Sequence, residues 1–205
     1  DDVLASPRVA YPYRLFDICP RSAGAAAMVL TNLDVAKNCC TRPAFINGIG
    51  AITHTVFMGD KVGPKADTEY ADMGELEIAA NECYRHAGII NPRSQIQVIE
   101  LYDPFSSMQF PQLEGLGFCK RGEAAKLSDE GAFDLDGRWP VSPSGGTLCT
   151  NPIGVSGLVR GIEASLQVMG RAGKHQINNV HNALATAIGG SAQFFTCTIF
   201  GDDYK

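Results

Sequence analysis

The sequence has no apolar run near the ~20 residues that a membrane-spanning helix needs; its longest, Ala23 to Leu30, is mostly alanine and far too short. It has no run of Lys or Arg, and its net charge is −5, which excludes an obvious nucleic-acid surface and leaves no attraction to an anionic membrane. No signal-peptide pattern is visible. Seven cysteines stand at positions 19, 39, 40, 83, 119, 149 and 197 without a Cys-x-x-Cys pair, so no zinc site or other metal site is expected. Gly48-Ile49-Gly50 lacks the spacing of a dinucleotide loop, so no nucleotide cofactor is expected either. An odd, scattered set of cysteines in a chain too long to need disulfides reads as reduced thiols in a cytoplasmic protein, each a small buried apolar residue.

The 205 residues are 45% apolar and 19% charged, enough for one domain with a buried core, alone or with a docking arm. Residues 1–22, rich in Pro, Tyr and Arg, read as an extended arm or linker, and 23–205 as the domain. Ala23 to Thr31 fits a fully buried strand, with a helix as its rival. Asp34 to Asn38 reads as a short helix. Pro43 to Val56 reads as a strand whose glycines mark a bulge or a close backbone approach, and Gly59 to Thr68 as a loop. Met73 to Ala87 has the spacing of an amphipathic helix stopped by Gly88. Asn91 to Ser94 is a turn and Gln95 to Leu101 a strand. Ser106 to Leu116 reads as a helix interrupted by Pro111, and Gly117 to Ser142 as irregular. Val155 to Met169 is a helix with Leu158, Ile162, Leu166 and Met169 on one face. Asn182 to Ile188 and Phe194 to Phe200 flank Gly189-Gly190 as a hairpin. Strands alternating with helices predict a mixed sheet layered by helices.

Several segments carry a resemblance in the same order as a known family. A strand runs into Tyr102-Asp103-Pro104-Phe105. Pro143-Ser144-Gly145-Gly146 is followed by Asn151-Pro152-Ile153-Gly154-Val155-Ser156-Gly157. Ala187-Ile188-Gly189-Gly190 lies near the end, and Ala23-Gly24-Ala25-Ala26-Ala27 near the start. Together they resemble the C-terminal half of thiolases, above all the sterol-carrier-protein type, with an acetyl-CoA acetyltransferase as the general pattern. Where this chain has Tyr-Asp-Pro-Phe, the family has Asn-Glu-Ala-Phe or His-Asp-x-Phe. The family also has Gly-His-Pro-x-Gly-x-(Ser/Thr)-Gly, Cys-x-Gly-Gly and Asp-Gly-Ala-Ala-Ala. The resemblance implies an α/β fold: a thiolase-like C-terminal domain with a layered mixed β-sheet and helices on both faces.

Thiolases make or break a carbon–carbon bond next to a thioester, so preorganised donors to thioester oxygens are the main requirement. By resemblance, Asn151 stands at the family's catalytic histidine. An amide cannot take a thiol proton there, but it can donate to an oxyanion; an N-cap is the alternative, since a helix is expected just beyond it. Tyr102 stands at the family's Asn or His and can donate to an enolate oxygen as a neutral phenol, or pack at a strand end. Asp103 belongs to the substrate-binding set, where its carboxylate orients a neighbour or a loop rather than moving protons, and Phe105 lines the acyl channel or the core. The backbone N–H of Gly189 joins the oxyanion hole and Gly190 the substrate site, unless both serve only a turn. Ala187 replaces the family's second cysteine, the base for the alpha proton, and a methyl group cannot do that work. His181 is the histidine available to replace it, and His86 reads as structural.

The resemblance therefore implies an acyltransferase part acting on a 3-oxoacyl-CoA, with the coenzyme A thioester as substrate and no further cofactor. Thiolases carry their nucleophilic cysteine in an N-terminal half, so such a half or a partner subunit is expected, in a dimer or hetero-oligomer. A small zinc-containing OB-fold subunit is a further partner implied by sterol-carrier-type relatives. Two alternatives stay open: a retro-aldol lyase acting on a 3-hydroxyacyl-CoA, and a non-catalytic thiolase-fold subunit.

Overall fold

The computed structural model describes residues 1–62 and 72–204. In chain order its elements are helix α1 (Asp2–Ala5), strands β1 (Arg8–Ala10) and β2 (Tyr13–Arg14), α2 (Leu33–Cys39), β3 (Phe45–Thr53), α3 (Gly74–Ala87), α4 (Pro92–Gln95), β4 (Val98–Glu100), α5 (Gln109–Gly115), α6 (Ala124–Asp129), α7 (Gly146–Cys149), α8 (Ser156–Met169), β5 (Asn182–Gly189) and β6 (Phe194–Gly201). Most of the loop expected at Gly59 to Thr68 lies outside the described residues.

Four strands form one mixed sheet in the order β3-β6-β5-β4, with β4 parallel to β5 and the other pairs antiparallel. Strand side chains alternate between faces, and the burial pattern separates two layers. Leu184, Phe195, Cys197 and Ile199 face α3 in the larger core; Ala183, Ala185 and Phe200 face Ala164 and Val168 of α8. The layered mixed sheet with a helix on each face is thus present as expected.

The packing explains several residue types. α3 lies so close to β3 that a Cβ on Gly50 would sit 1.8 Å from the Ala79 carbonyl oxygen, and one on Gly48 2.2 Å from that of Cys83. A bulge between Ile46 and Gly48 accompanies this approach. Gly88 ends α3 in the left-handed region at φ 64°, where glycine carries no Cβ penalty. Pro111 lies inside α5 and is tolerated because it falls in the first turn, where its missing N–H has no intrahelical partner to lose.

Four expectations are corrected. Residues 23–30 form neither strand nor helix and pair with no strand among the described residues, with Val29 91% and Leu30 69% exposed. Gly117 to Ser142 contains α6, and Asn91 to Ser94 turns through α4. The cysteines are not uniformly buried. Cys83, Cys119 and Cys197 are, but Cys19 and Cys40 are half-buried, and Cys39 and Cys149 are exposed. No helix among the described residues is long and apolar enough to cross a membrane.

Candidate active site

The C-terminal end of β4 sets the first part of the site. The Tyr102 backbone N–H donates to Thr186 Oγ1 at 3.0 Å, Thr186 Oγ1 donates to Gln112 Oε1 at 2.8 Å, and Gln112 Nε2 donates back to the Tyr102 carbonyl at 2.8 Å. Gln112 and Thr186 are both buried, so this closed ring costs little in unmet polar groups and fixes the backbone that carries the phenol.

Two buried carboxylates pin the glycine loop beside it. Asp103 accepts from the Thr147 N–H at 2.7 Å and from Gln109 Nε2 at 2.8 Å. Burial raises its pKa, opposed by Gln109, by Thr147 and by the Arg160 charge. Gly146 passes this carboxylate at φ 63°, and a Cβ there would lie 2.7 Å from Asp103 Oδ1, so the second glycine is required by a close approach. Glu100 accepts from Arg160 Nη1 at 2.6 Å and from Ser144 Oγ at 2.7 Å. Burial pushes the Glu100 carboxyl up to about 6 despite the Arg160 guanidinium and the Ser144 hydroxyl, which hold it down. Asp103 thus holds the glycine loop through the Thr147 N–H.

The N-terminal segment then crosses the site. Cys19 donates its N–H to the Pro104 carbonyl at 2.9 Å, and Ser22 and Asn151 exchange hydrogen bonds of 3.3 Å. This threads residues 19–22 between Pro104 and Asn151. Asn151 is 4% exposed. Its Oδ1 accepts from Ser156 Oγ at 2.6 Å, which fixes the orientation of the amide, and its Nδ2 donates to Cys19 Sγ at 3.1 Å. The Tyr102 phenol lies against the same pair. Its pKa is raised by burial; the neighbouring Asn151 amide opposes the rise, and Cys19 adds to it. α8 starts at Ser156 with Val155 as its N-cap, so Asn151 is not the cap of that helix.

Asn151 and Tyr102 therefore meet, with Cys19 and Ser156 as members that the sequence reading passes over. Ser156 was visible only as a motif residue, and no spacing signal marks Cys19. Phe105 is 38% exposed, and its ring meets Tyr13 of the arm in a tilted pair, centroids 5.6 Å apart at 56°. Gly189 is the last residue of β5, opposite Phe194, and Gly190 opens the hairpin turn at φ 63°. Among the described residues no side-chain hydrogen bond links either glycine to Asn151, Tyr102 or Cys19. Ala187 meets the first turn of α8: a Cβ on Gly157 would lie 2.6 Å from the Ala187 methyl. His181 precedes β5 at the end away from Ala187 and pairs with Asp202 at 2.8 Å, so it is not a replacement base for that position. Among the described residues no three His, Cys, Asp or Glu side chains group as a metal site.

The model of the family described as thiolase C-terminal domain-like matches residues 65–202. The chain belongs to this family. Sterol carrier protein 2 of Gallus gallus is 31% identical over 195 residues, 92% of this chain and 34% of that protein. The acetyl-CoA acetyltransferase of Methanothermobacter thermautotrophicus is 29% identical over 201 residues, 98% of this chain and 50% of that protein. Among solved structures, the Ltp2-ChsH2(DUF35) aldolase superposes with a TM-score of 0.76 at 27% identity, covering 100% of this chain and 51% of that one. The chain thus spans between a third and about half of the length of the proteins it matches, and its thiolase-like relatives include both an acetyltransferase and an aldolase.

Proposed function

We propose that this chain carries part of the active site of a thiolase-fold enzyme that cleaves the carbon–carbon bond of a 3-hydroxyacyl-CoA by retro-aldol chemistry. The observation that carries the reading is a half-buried phenol, Tyr102, beside an oriented amide, with a methyl group where an alpha-proton base would stand. Retro-aldol cleavage needs no alpha-proton base. The 3-hydroxyl gives up its proton, the Cα–Cβ bond breaks, and its electron pair enters the thioester as an enolate. The 3-carbon leaves as a carbonyl, and the enolate carbon is then protonated. A phenol with a raised pKa stays neutral at pH 7 and donates to the enolate oxygen. Asn151 acts through it: Ser156 holds the amide so that its N–H groups face Cys19 and Tyr102. Cys19, whose sulfur lies 3.1 Å from the Asn151 amide, is the group of this chain placed to accept the hydroxyl proton.

The aldolase likeness supports this reading. An acyltransferase acting on a 3-oxoacyl-CoA is the second reading, favoured by the acetyltransferase relative and by the presence of a thiol at the site. Either reading includes a second polypeptide half, in keeping with the chain's spanning between a third and about half of the length of its relatives. Leu158 is 40% exposed, Ile162 and Leu166 continue its stripe along α8, and Val29 and Leu30 are exposed; apolar surface of this kind is normally paired. A thiolase N-terminal half or partner subunit fits this face, in a dimer or hetero-oligomer.

The test supplies the isolated assembly with a 3-hydroxyacyl-CoA and, separately, with a 3-oxoacyl-CoA plus coenzyme A. Release of a free carbonyl product from the first is expected, and Tyr102→Phe should lower it by ~10²-fold or more, the usual cost of removing one oxyanion donor. Turnover of the 3-oxoacyl-CoA alone would establish the acyltransferase reading instead. Inertness toward both would make the chain a non-catalytic subunit.

A further inference from the structure

The end of the sheet opposite Tyr102 holds a cavity of about 600 Å³ lined by Arg93, Gln97, Arg138, Lys174, His175 and Asn178. That volume is within the range of small-molecule sites. Asp136 is the single carboxylate of its wall. His175 is engaged by Glu163 at 3.1 Å, whereas Arg93, Arg138 and Lys174 have no ion-pair partner among the described residues. Such a concentration of unmatched cations is notable in a chain of net charge −5.

Two of these cations are held together by the core. The Arg93 and Arg138 guanidinium carbons each lie 5.1 Å from the centroid of the Trp139 ring, hence no more than about 10 Å from each other. Trp139 is 2% exposed, fixed by its own N–H to the Arg93 carbonyl at 2.8 Å and by packing on Phe118 and Phe133. Gln97 is also set: its Oε1 accepts from the backbone of His181 at 3.1 Å and of Asn182 at 2.8 Å, which leaves its NH2 to donate elsewhere. Like charges gathered against one indole repel unless an anion lies between them, and planar guanidiniums match phosphate oxygens two at a time. We propose that this cavity binds the oligophosphate group of a small molecule, with Arg93, Arg138 and Lys174 as its cationic grip and the Gln97 amide as a neutral donor.

Trp139 is the only tryptophan of the chain and provides the readout. Inorganic pyrophosphate is titrated into the protein as isolated, with any subunit it carries, by calorimetry and by tryptophan fluorescence against Trp139→Phe as background. Saturable binding at one per chain with a Trp139 signal is expected. Lys174→Glu, at an exposed residue away from the indole, should weaken it about fivefold or more while leaving the melting temperature unchanged. No saturation by about 10 mM, or affinity unchanged in both Lys174→Glu and Arg138→Glu, would overturn the proposal. Sulfate binding as tightly as pyrophosphate at equal ionic strength would overturn it too, as would binding of an acidic peptide but no phosphate compound. Comparison of ADP with coenzyme A identifies the source. A free nucleotide site leaves the KM for the thioester unchanged in Lys174→Glu, whereas a site for the coenzyme's own diphosphate raises it.

Discussion

The ion pair beneath the glycine loop makes a quantitative demand on stability. Burial moves the Glu100 carboxyl from the ordinary 4.5 to about 6 even with Arg160 at 2.6 Å, so the folded state holds this proton more tightly than the unfolded chain. A pKa raised on folding adds stability that is complete below about 4.5 and is lost as the pH rises through about 6. With each pKa unit worth ~1.4 kcal/mol, the ionised carboxylate costs the fold roughly 2 kcal/mol at pH 7. For a chain of this size, 1 kcal/mol corresponds to about 2–4 °C in melting temperature. Melting curves by circular dichroism between pH 4.5 and 7 should therefore fall about 4–8 °C further in the native protein than in Glu100→Gln. Asp103 titrates in the same direction, but it is common to both proteins and drops out of the difference. Arg160→Met should move the native midpoint above 6, since the guanidinium is the largest force holding Glu100 down. Parallel melting profiles for the native protein and Glu100→Gln across this window would refute the reasoning.

Two further predictions concern the site itself. Gly157→Ala places a methyl group 2.6 Å from the Ala187 Cβ and should lower stability by about 1–3 kcal/mol through overpacking, read as a melting shift; an unchanged melting temperature would mean that α8 and β5 are not in contact there. Ser156→Ala leaves the buried Asn151 Oδ1 without its donor at 2.6 Å, costs about 1–3 kcal/mol, and should reduce kcat more than it changes KM, because it frees the amide to turn; Ser156→Thr should restore much of the loss.

Legibility in the sequence followed the range of the interaction. Residues 74–87 were readable as a helix because apolar positions recur at its own period, and Gly88 stops it. The glycine-centred hairpin was readable for the same reason. Ala23 to Leu30 misled because small apolar residues are equally consistent with a buried strand and with an exposed segment awaiting cover; composition does not say whether a neighbouring strand exists. Asn151, Tyr102 and Asp103 were legible through resemblance alone. Cys19 was not legible at all, since it comes within 3.1 Å of Asn151 across 132 residues of chain. The cationic cavity was equally silent, because its cations come from three segments far apart in sequence.

The sequence by itself determined the periodic elements, the order of the family motifs and the absence of a thiol at position 187, because each of these is a local property of the chain. Only the tertiary structure decided which polar groups are buried together. It set Ser156, Asn151, Cys19 and Tyr102 against one another, hid Glu100 with Arg160, and gathered Arg93 and Arg138 on Trp139. Hydrogen-bond geometry and desolvation depend on distances between segments far apart in sequence, and those distances exist only once the sheet and its two helices have packed.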